Sequence, residues 1–358
     1  MQAVTTLMIM TTIMAQATWN DPHYLDIVDL VNNNPKSTWK AKLSSGIPYG
    51  DKAALKSMLG AIAHPGKQPP KNNDPSGRRL QADSNPPKTY NLIQAFPLCK
   101  SIGKIRNQGQ CGSCWSVAGA NVITDAFCIQ HAIKNPLAVR NRRFSYQDPL
   151  ENCTKDICGT TPKTINGVLT SGGCDGGWID GALEFGKVHG IVTGETFMEK
   201  WLCKPYISSP ISPKADTTCK NVPPTNYIKN KWKIHGYTWI QASSGKTVEW
   251  VARDAVVKLG PLIVGFQVYE DFYAYKSGVY VKREPTPQVS NNFEGWHAVR
   301  LIGWGEQPSS DPLKPTLFWL CANSWGTGWG DKGFFKILRG SNHVGIENWM
   351  YSVTAIAP

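Results

Sequence analysis

The sequence predicts an α+β fold of two lobes with a cleft between them, and three observations carry this. A chain of 358 residues, 41% hydrophobic and 18% charged, can bury one large core or two medium ones. Helical periodicity dominates from about Pro86, and short apolar runs bounded by Gly and Pro dominate the last third. The predicted organisation is a leader at 1–17, a detachable front segment at 18–85 and a main domain at 86–358. Within the main domain, a helical lobe covers about 95–235 and a strand-rich lobe about 236–345.

The leader is apolar from Leu7 to Met14 and ends in Ala15-Gln16-Ala17, which fits a secretory signal with a small-residue cleavage site. It carries no Lys or Arg, which leaves a simple helical or disordered tail as the alternative. It is too short to cross a bilayer, and no later stretch is long and apolar enough. Behind it, Asp21-Pro22 caps a helix that sets Tyr24, Ile27, Val28 and Val31 on one face, and Asn32 to Pro35 stop it. A second helix starts at Asp51 and runs through Ala54, Leu55, Met58 and Leu59. The following "HPGKQPPKNNDPSGRRLQADSNPPK" has many breakers and no periodicity, so it reads as a strap in which Arg78-Arg79 are accessible. A cysteine-free front on such a strap reads as a removable pro-segment, the alternative being a hinged subdomain. Cutting between Gly77 and Thr89 would release a main chain beginning near Pro86.

In the main domain, Trp115, Ala118, Val122, Ile123, Ala126 and Phe127 recur at helical spacing, which places Cys114 in the first turn of a helix. Val248, Val251, Ala252, Ala255, Val256 and Leu259 mark another helix, closed by Gly260-Pro261. "PLIVGFQV", "WHAVRLIGWG", "TLFWLCA" and "GFFKIL" then read as strands. The net charge is +12, yet no basic block with interleaved aromatics appears, so nucleic acid is not an expected partner.

Ten cysteines behind a secretory leader point to an oxidising compartment and a disulfide framework. "QGQCGSCW" therefore poses a choice between a redox pair, half a zinc site, and one structural cysteine beside one reactive one. A thiol in the first turn of a helix has its thiolate stabilised by free N–H groups and the helix dipole. Such a nucleophile needs a histidine to move protons, an acceptor to orient that histidine, and donors for the oxyanion. Of the seven histidines, His297 begins a strand in the second lobe, and Asn323 ends the next one, beside Trp325.

"QGQCGSCW", "GGCDGGW", "GWHAVRLIGWG" and "CANSWGTGWGDKGFFKILRG" together resemble the papain-like cysteine peptidases. "YKSGVY", "GDKGFFKILRG" and the "GIE" at Gly345 to Glu347 are similar to the cathepsin B group. The resemblance implies a papain-like two-lobed fold, a helical left lobe and a β-barrel-like right lobe with the active-site cleft between them. In it Cys114 is the nucleophile, His297 the acid and base, Asn323 the orienting residue and Gln108 the side-chain oxyanion donor. It also implies that Gly176 and Gly177 pair with an extended substrate, that Trp325 covers the His297–Asn323 bond, and that Trp349 floors the pocket for the second residue before the cut. The bridges it implies are Cys99–Cys128, Cys111–Cys174, Cys153–Cys158 and Cys203–Cys219, leaving Cys114 and Cys321 free.

The activity so implied is that of a cysteine endopeptidase made as a zymogen, with no metal or organic cofactor, acting in the lysosome or vacuole or outside the cell. Its implied partners are polypeptide substrates, its own pro-segment as inhibitor and cystatin-like inhibitors, and a monomer is expected. A thiolate–imidazolium pair would make Cys114 react quickly with iodoacetamide. Asn152-Cys153-Thr154 is a glycosylation acceptor pattern with a bridge cysteine in its middle. The Cys203–Cys219 loop lacks the two adjacent histidines that give cathepsin B its dipeptidyl-carboxypeptidase activity, and Lys204 and Lys214 read as solvated. The other class of function is a catalytically silent relative acting in binding or storage, disfavoured because every catalytic position is filled.

Overall fold

The computed structural model describes residues 21–63, 85–131, 142–165, 168–170, 172–195, 202–207, 213–219, 226–243, 245–309 and 315–356. The expected leader, the expected strap with Arg78-Arg79, and parts of the 140–172 segment and of the Cys203–Cys219 loop lie outside them.

The front segment is ordered against the main domain. Helix α1 (Pro22–Asn33) is capped by Asp21, whose carboxylate accepts from the His23 N–H at 2.9 Å, and buries Tyr24, Ile27 and Val31. Strand β1 (Trp39–Ala41) pairs antiparallel with β9 of the main domain (Tyr275–Tyr280). Trp39 is 4% exposed, packs on Tyr275 and Tyr280, and donates from Nε1 to the Val281 carbonyl at 2.9 Å. Helix α2 (Lys52–Ser57) is capped by Asp51 and ends one residue before Met58, earlier than its periodicity suggested. Met58 and Leu59 leave the helix because the chain dives into the cleft here, where β2 (Ala61–Ile62) runs parallel to β6 (Gly177–Trp178).

The helical part begins with β3 (Tyr90–Asn91) and α3 (Leu92–Ala95) and is built around α4 (Cys114–His131). Periodicity suggested one buried face, whereas every residue from Cys114 to Ile129 is buried, as in a helix packed on all sides. Its polar members turn inward on backbone: Asn121 donates to Val117 O at 2.6 Å and Thr124 to Ala120 O at 2.8 Å. Helices α5 (Gln147–Asn152) and α6 (Lys155–Cys158), the hairpin β4 (Lys163–Ile165) and β5 (Val168–Thr170), and α7 (Gly181–Val188) surround it. At Gly119 a Cβ would sit 2.6 Å from that of Ala182, so α4 and α7 approach closely only because Gly119 has none.

The strand-rich part comprises β7 (Ile234–Trp239), α8 (Val248–Leu259), β8 (Leu262–Tyr269), β9, β10 (Phe293–Gln307), β11 (Thr316–Ala322), β12 (Phe334–Leu338) and β13 (Trp349–Ile356). Their order is β1-β9-β12-β11-β10-β8-β13-β7, with β3 paired to β10. This is an open sheet, so the barrel-like description suggested by resemblance is too strong, and its strands reach Ile356, past the expected end near 345. The four strand runs recognised in the sequence all lie in it, as β8, β10, β11 and β12.

Four bridges are present, Cys99–Cys128, Cys111–Cys174, Cys153–Cys158 and Cys203–Cys219, with Cys114 and Cys321 free and buried.

Candidate active site

Cys114 is the first residue of α4, and the loop before it is fixed from both sides. The Cys111–Cys174 bridge and a Gly112 N–H to Cys174 O bond of 2.9 Å tie it to the helical part. The Gln108 N–H donates to Ser324 O at 2.9 Å, tying the same loop to the strand-rich part. Across the cleft, β10 carries His297, paired with Phe266 of β8, and the residue after β11 is Asn323. His297 Nε2 and Asn323 Oδ1 are 2.7 Å apart. The Ser324 N–H donates to the same Oδ1 at 2.8 Å, which fixes the amide's orientation and leaves His297 Nε2 as the donor. Trp325 covers the imidazole, ring centroids 4.7 Å apart. His297 Nδ1 has no protein partner. The backbone of Ala298, the residue after His297, lies near enough to the Cys114 thiol to favour its thiolate, so the first turn of α4 meets the strand that carries the imidazole.

The front segment closes this site. The Gly60 backbone likewise lies beside the Cys114 thiol, its carbonyl accepts from the Gly177 N–H at 2.9 Å, and a Cβ on it would lie 1.9 Å from Gly112 O. Gly176 and Gly177 admit this chain at close range: a Cβ on Gly176 would meet Gly60 O at 2.8 Å, and one on Gly177 would strike Trp115. The Gln108 amide donates to Met58 O at 3.0 Å and to Cys111 O at 2.8 Å, while Ser324 Oγ donates to its Oε1 at 2.5 Å. A front-segment carbonyl therefore occupies the amide expected to serve an oxyanion. The sequence reading missed Ser324, although its place beside Asn323 was a usable signal.

Under this cover Cys114 and His297 are both 0% exposed. Burial pushes the Cys114 thiol up to about 11, against backbone hydrogen bonds from Ala298, Gly60, Trp115 and Cys114 itself. Burial also pushes the His297 imidazole down to about 4, against its bond to Asn323. The ion pair expected from sequence is thus not the favoured state while the cleft is filled, because both groups are desolvated and held neutral. Forming it moves a proton from thiol to imidazole and takes none from solvent, so uncovering the pair has no pH dependence of its own while that proton stays within it.

Trp349, at the start of β13, pairs with Gly265 of β8 and stacks flat on Trp239, centroids 5.2 Å apart and planes within 5°. A Cβ on Gly265 would lie 2.2 Å from Ile179 and 3.5 Å from Trp349 Cβ, so this face of the sheet looks toward the chain that follows Gly177.

One acceptor pattern is already engaged and one expectation needs correction. Asn152 does not present a free amide: its Nδ2 donates to Asp148 Oδ1 at 3.0 Å, Asp216 O at 2.7 Å and Tyr227 OH at 3.2 Å, and a glycan there would displace all three. Lys204 is not solvated but 4% exposed and ion-paired with Glu151, which pins the Cys203–Cys219 loop to α5; Lys214 is exposed. Among the described residues no group of His, Cys, Asp and Glu is arranged to hold a metal, and no helix is long and apolar enough to cross a membrane.

A cysteine opening a buried helix, a strand-borne histidine hydrogen-bonded to an asparagine and an N-terminal segment laid over the cysteine have the arrangement of a cysteine protease in precursor form. The papain family cysteine protease pattern matches residues 87–354. Cathepsin B-like cysteine proteinase 3 of Caenorhabditis elegans is 37% identical over 270 residues, covering 73% of this chain and 64% of that protein, so the match spans somewhat under two thirds of that relative. Cathepsin B-like cysteine proteinase 2 of Haemonchus contortus is 33% identical over 273 residues, covering 73% of this chain and 71% of that one. In three dimensions, procathepsin B S9 from Trypanosoma congolense superposes with a TM-score of 0.68 at 25% identity, over 93% of this chain and 97% of that one. The chain belongs to the papain family of cysteine proteases and is cathepsin B-like.

Proposed function

We propose that this chain is the zymogen of a cysteine endopeptidase whose residues 18–85 act as the inhibitory pro-segment. The observation that carries the reading is the docking of Met58 to Ile62 along Gln108, Cys114 and Gly177, where an extended peptide has its backbone groups met. Once the pro-segment leaves, Cys114 attacks the scissile carbonyl as thiolate. The oxyanion is received by the Gln108 amide and the Cys114 N–H, and His297 protonates the leaving amine. Water then hydrolyses the thioester with His297 as base, and Asn323 keeps the imidazole aligned throughout. Processing in the strap near Pro86 and passage through the secretory pathway belong to the same reading, as does inhibition by cystatin-like proteins, which would seat in the vacated cleft.

Trp349 sets the expected specificity. An indole on the pocket floor, stacked on Trp239, offers no counter-charge to arginine at the second position before the cut. Leaving even an uncharged polar group unmatched in an apolar pocket costs about 1–3 kcal/mol, and a charge costs more, so arginine should be disfavoured by at least roughly 10-fold against leucine or valine, and Trp349→Glu should reverse much of that. Library profiling with strong arginine preference in the unaltered enzyme would remove Trp349 from the pocket.

The far side of the cleft bears on the type of cut. With no histidine in the Cys203–Cys219 loop and Lys204 turned inward to Glu151, no fixed cation pair is present there to hold a substrate's C-terminal carboxylate. The test of the proposed function is the product ladder from a peptide of about ten residues incubated with processed enzyme. Internal cuts are expected; successive loss of C-terminal dipeptides, or no cleavage at all, would contradict the reading.

A further inference from the structure

Behind the His297–Asn323 pair lies a cavity of ≈ 10 Å³, lined by Lys104, Arg106, Asn121, Arg300, Asn323 and Ser324 among others. That is the space open to the centre of a water-sized sphere, so the void around it admits one small occupant, a water or a monatomic anion. Two buried guanidinium groups reach it with one edge committed and another bare. Arg300 uses Nη1 on Asp125 and on Ser101 O at 3.2 Å, and Nη2 on Ile102 O at 3.0 Å and Lys104 O at 3.2 Å, yet its Nε has no partner. Arg106, 3% exposed, pairs through Nη2 with Glu195 and leaves Nε and Nη1 without partners. The Asn323 amide, whose Oδ1 is fixed toward His297 and Ser324, leaves Nδ2 bare as well.

All four of these unpartnered atoms are donors. A single water accepts two hydrogen bonds and would leave the others unmet, at a cost of about 1–3 kcal/mol each. The surrounding charge has the same sign: Lys104, Arg106 and Arg143 converge on the single carboxylate of Glu195, and Arg300 on that of Asp125. Lys104 and Arg143 are partly open to solvent, whereas Arg106 and Arg300 are buried, so it is the charge of these two guanidinium groups that is weakly screened.

We propose that this cavity is a binding site for a small monovalent anion of halide size, held by Arg106, Arg300 and the Nδ2 of Asn323. The anion accepts from the back of the amide whose front accepts from His297. It thereby holds the Asn323 side chain in its working orientation and places a negative charge one amide away from the imidazolium formed during catalysis. The site itself rests on the geometry above; its effect on turnover rests also on the catalytic roles proposed for His297 and Asn323.

The experiment uses bromide as the probe. Crystals of the full chain equilibrated with bromide should show an anomalous peak between Arg106, Arg300 and Asn323, and crystals of Arg106→Met should lack it. In solution, kcat/KM of the processed enzyme should rise severalfold and saturably when chloride or bromide replaces gluconate at a fixed ionic strength of about 0.1 M, where surface charges are screened over about 10 Å. The Arg106→Met enzyme should not respond. Water alone in the cavity of the unaltered protein at high bromide overturns the proposal whether or not the variant folds. So does a peak that survives in Arg106→Met, or a halide response without a peak. Because the diffraction arm needs no activity, an inert enzyme with a bromide peak would count against the proposed function and leave the site standing.

Discussion

The Cys114→Ala chain is expected to fold, form its four bridges and accumulate at precursor size, with peptide hydrolysis lowered on the order of 10⁶-fold, the scale reached when a covalent nucleophile is removed. The substitution deletes one sulfur from a fully buried position without touching a disulfide, because Cys114 stands outside all four. The His297–Asn323 bond, Trp325 above it and the Cys111–Cys174 staple all persist. Gel electrophoresis under non-reducing conditions checks the bridges, and a fluorogenic peptide checks the loss. A Cys114→Ala protein that still matures by itself and cleaves peptides would move the chemistry to another residue.

The second large effect concerns inhibition. Gly60→Val should leave the precursor folded but unable to close its own cleft, because a Cβ at this position falls 1.9 Å from Gly112 O and 2.3 Å from Gly112 C. That backbone cannot retreat: the Cys111–Cys174 bridge and the Gly112 N–H bond to Cys174 hold it. Overpacking costs about 1–3 kcal/mol, so the Met58–Ile62 strand should lift and docking should weaken roughly 10–100-fold. The anchor around Trp39, on the far side of the segment, is untouched. The expected result is measurable turnover by intact, unprocessed Gly60→Val precursor, with chain length verified by mass. A variant precursor as inert as the parent would mean that inhibition does not run through this contact.

How much of this was legible in the sequence depended on distance along the chain. Helix α1, α8 and the strands β8, β10, β11 and β12 carry local signals, a cap, a terminating glycine or a bounded apolar run, and those are the elements periodicity found. The short strands β1 and β2 carry none, since three and two residues become strands only by lying on edges supplied by Tyr275–Tyr280 and Gly177–Trp178. For the same reason Met58 and Leu59 looked helical: their spacing fits α2, and only the cleft pulls them out. The places of Cys114 at a helix start, His297 on a strand and Asn323 at a strand end were legible because each sits in a contiguous block of recognisable residues. Their protonation was not, because burial beneath a segment more than fifty residues upstream is invisible to a motif. Lys204 and Asn152 show the same limit, the one read as solvated and the other as part of an acceptor pattern, and both are drawn into one network with Glu151, Asp148 and Tyr227.

The central claim is that Cys114 is a nucleophile kept neutral and covered until the pro-segment leaves. Its most direct test is the rate of iodoacetamide labelling at Cys114, mapped by peptide mass before and after the pro-segment is removed. In the precursor the thiol is 0% exposed and pushed up to about 11 by burial, so labelling should be very slow. Once it is uncovered, the start of α4 and the His297 imidazole stabilise the thiolate. One adduct per chain should then form at Cys114, faster than on an ordinary exposed thiol, and activity should fall in step, while Cys321 stays unlabelled in its strand. Equal labelling of covered and uncovered protein, or full modification of Cys114 with activity intact, would contradict the account.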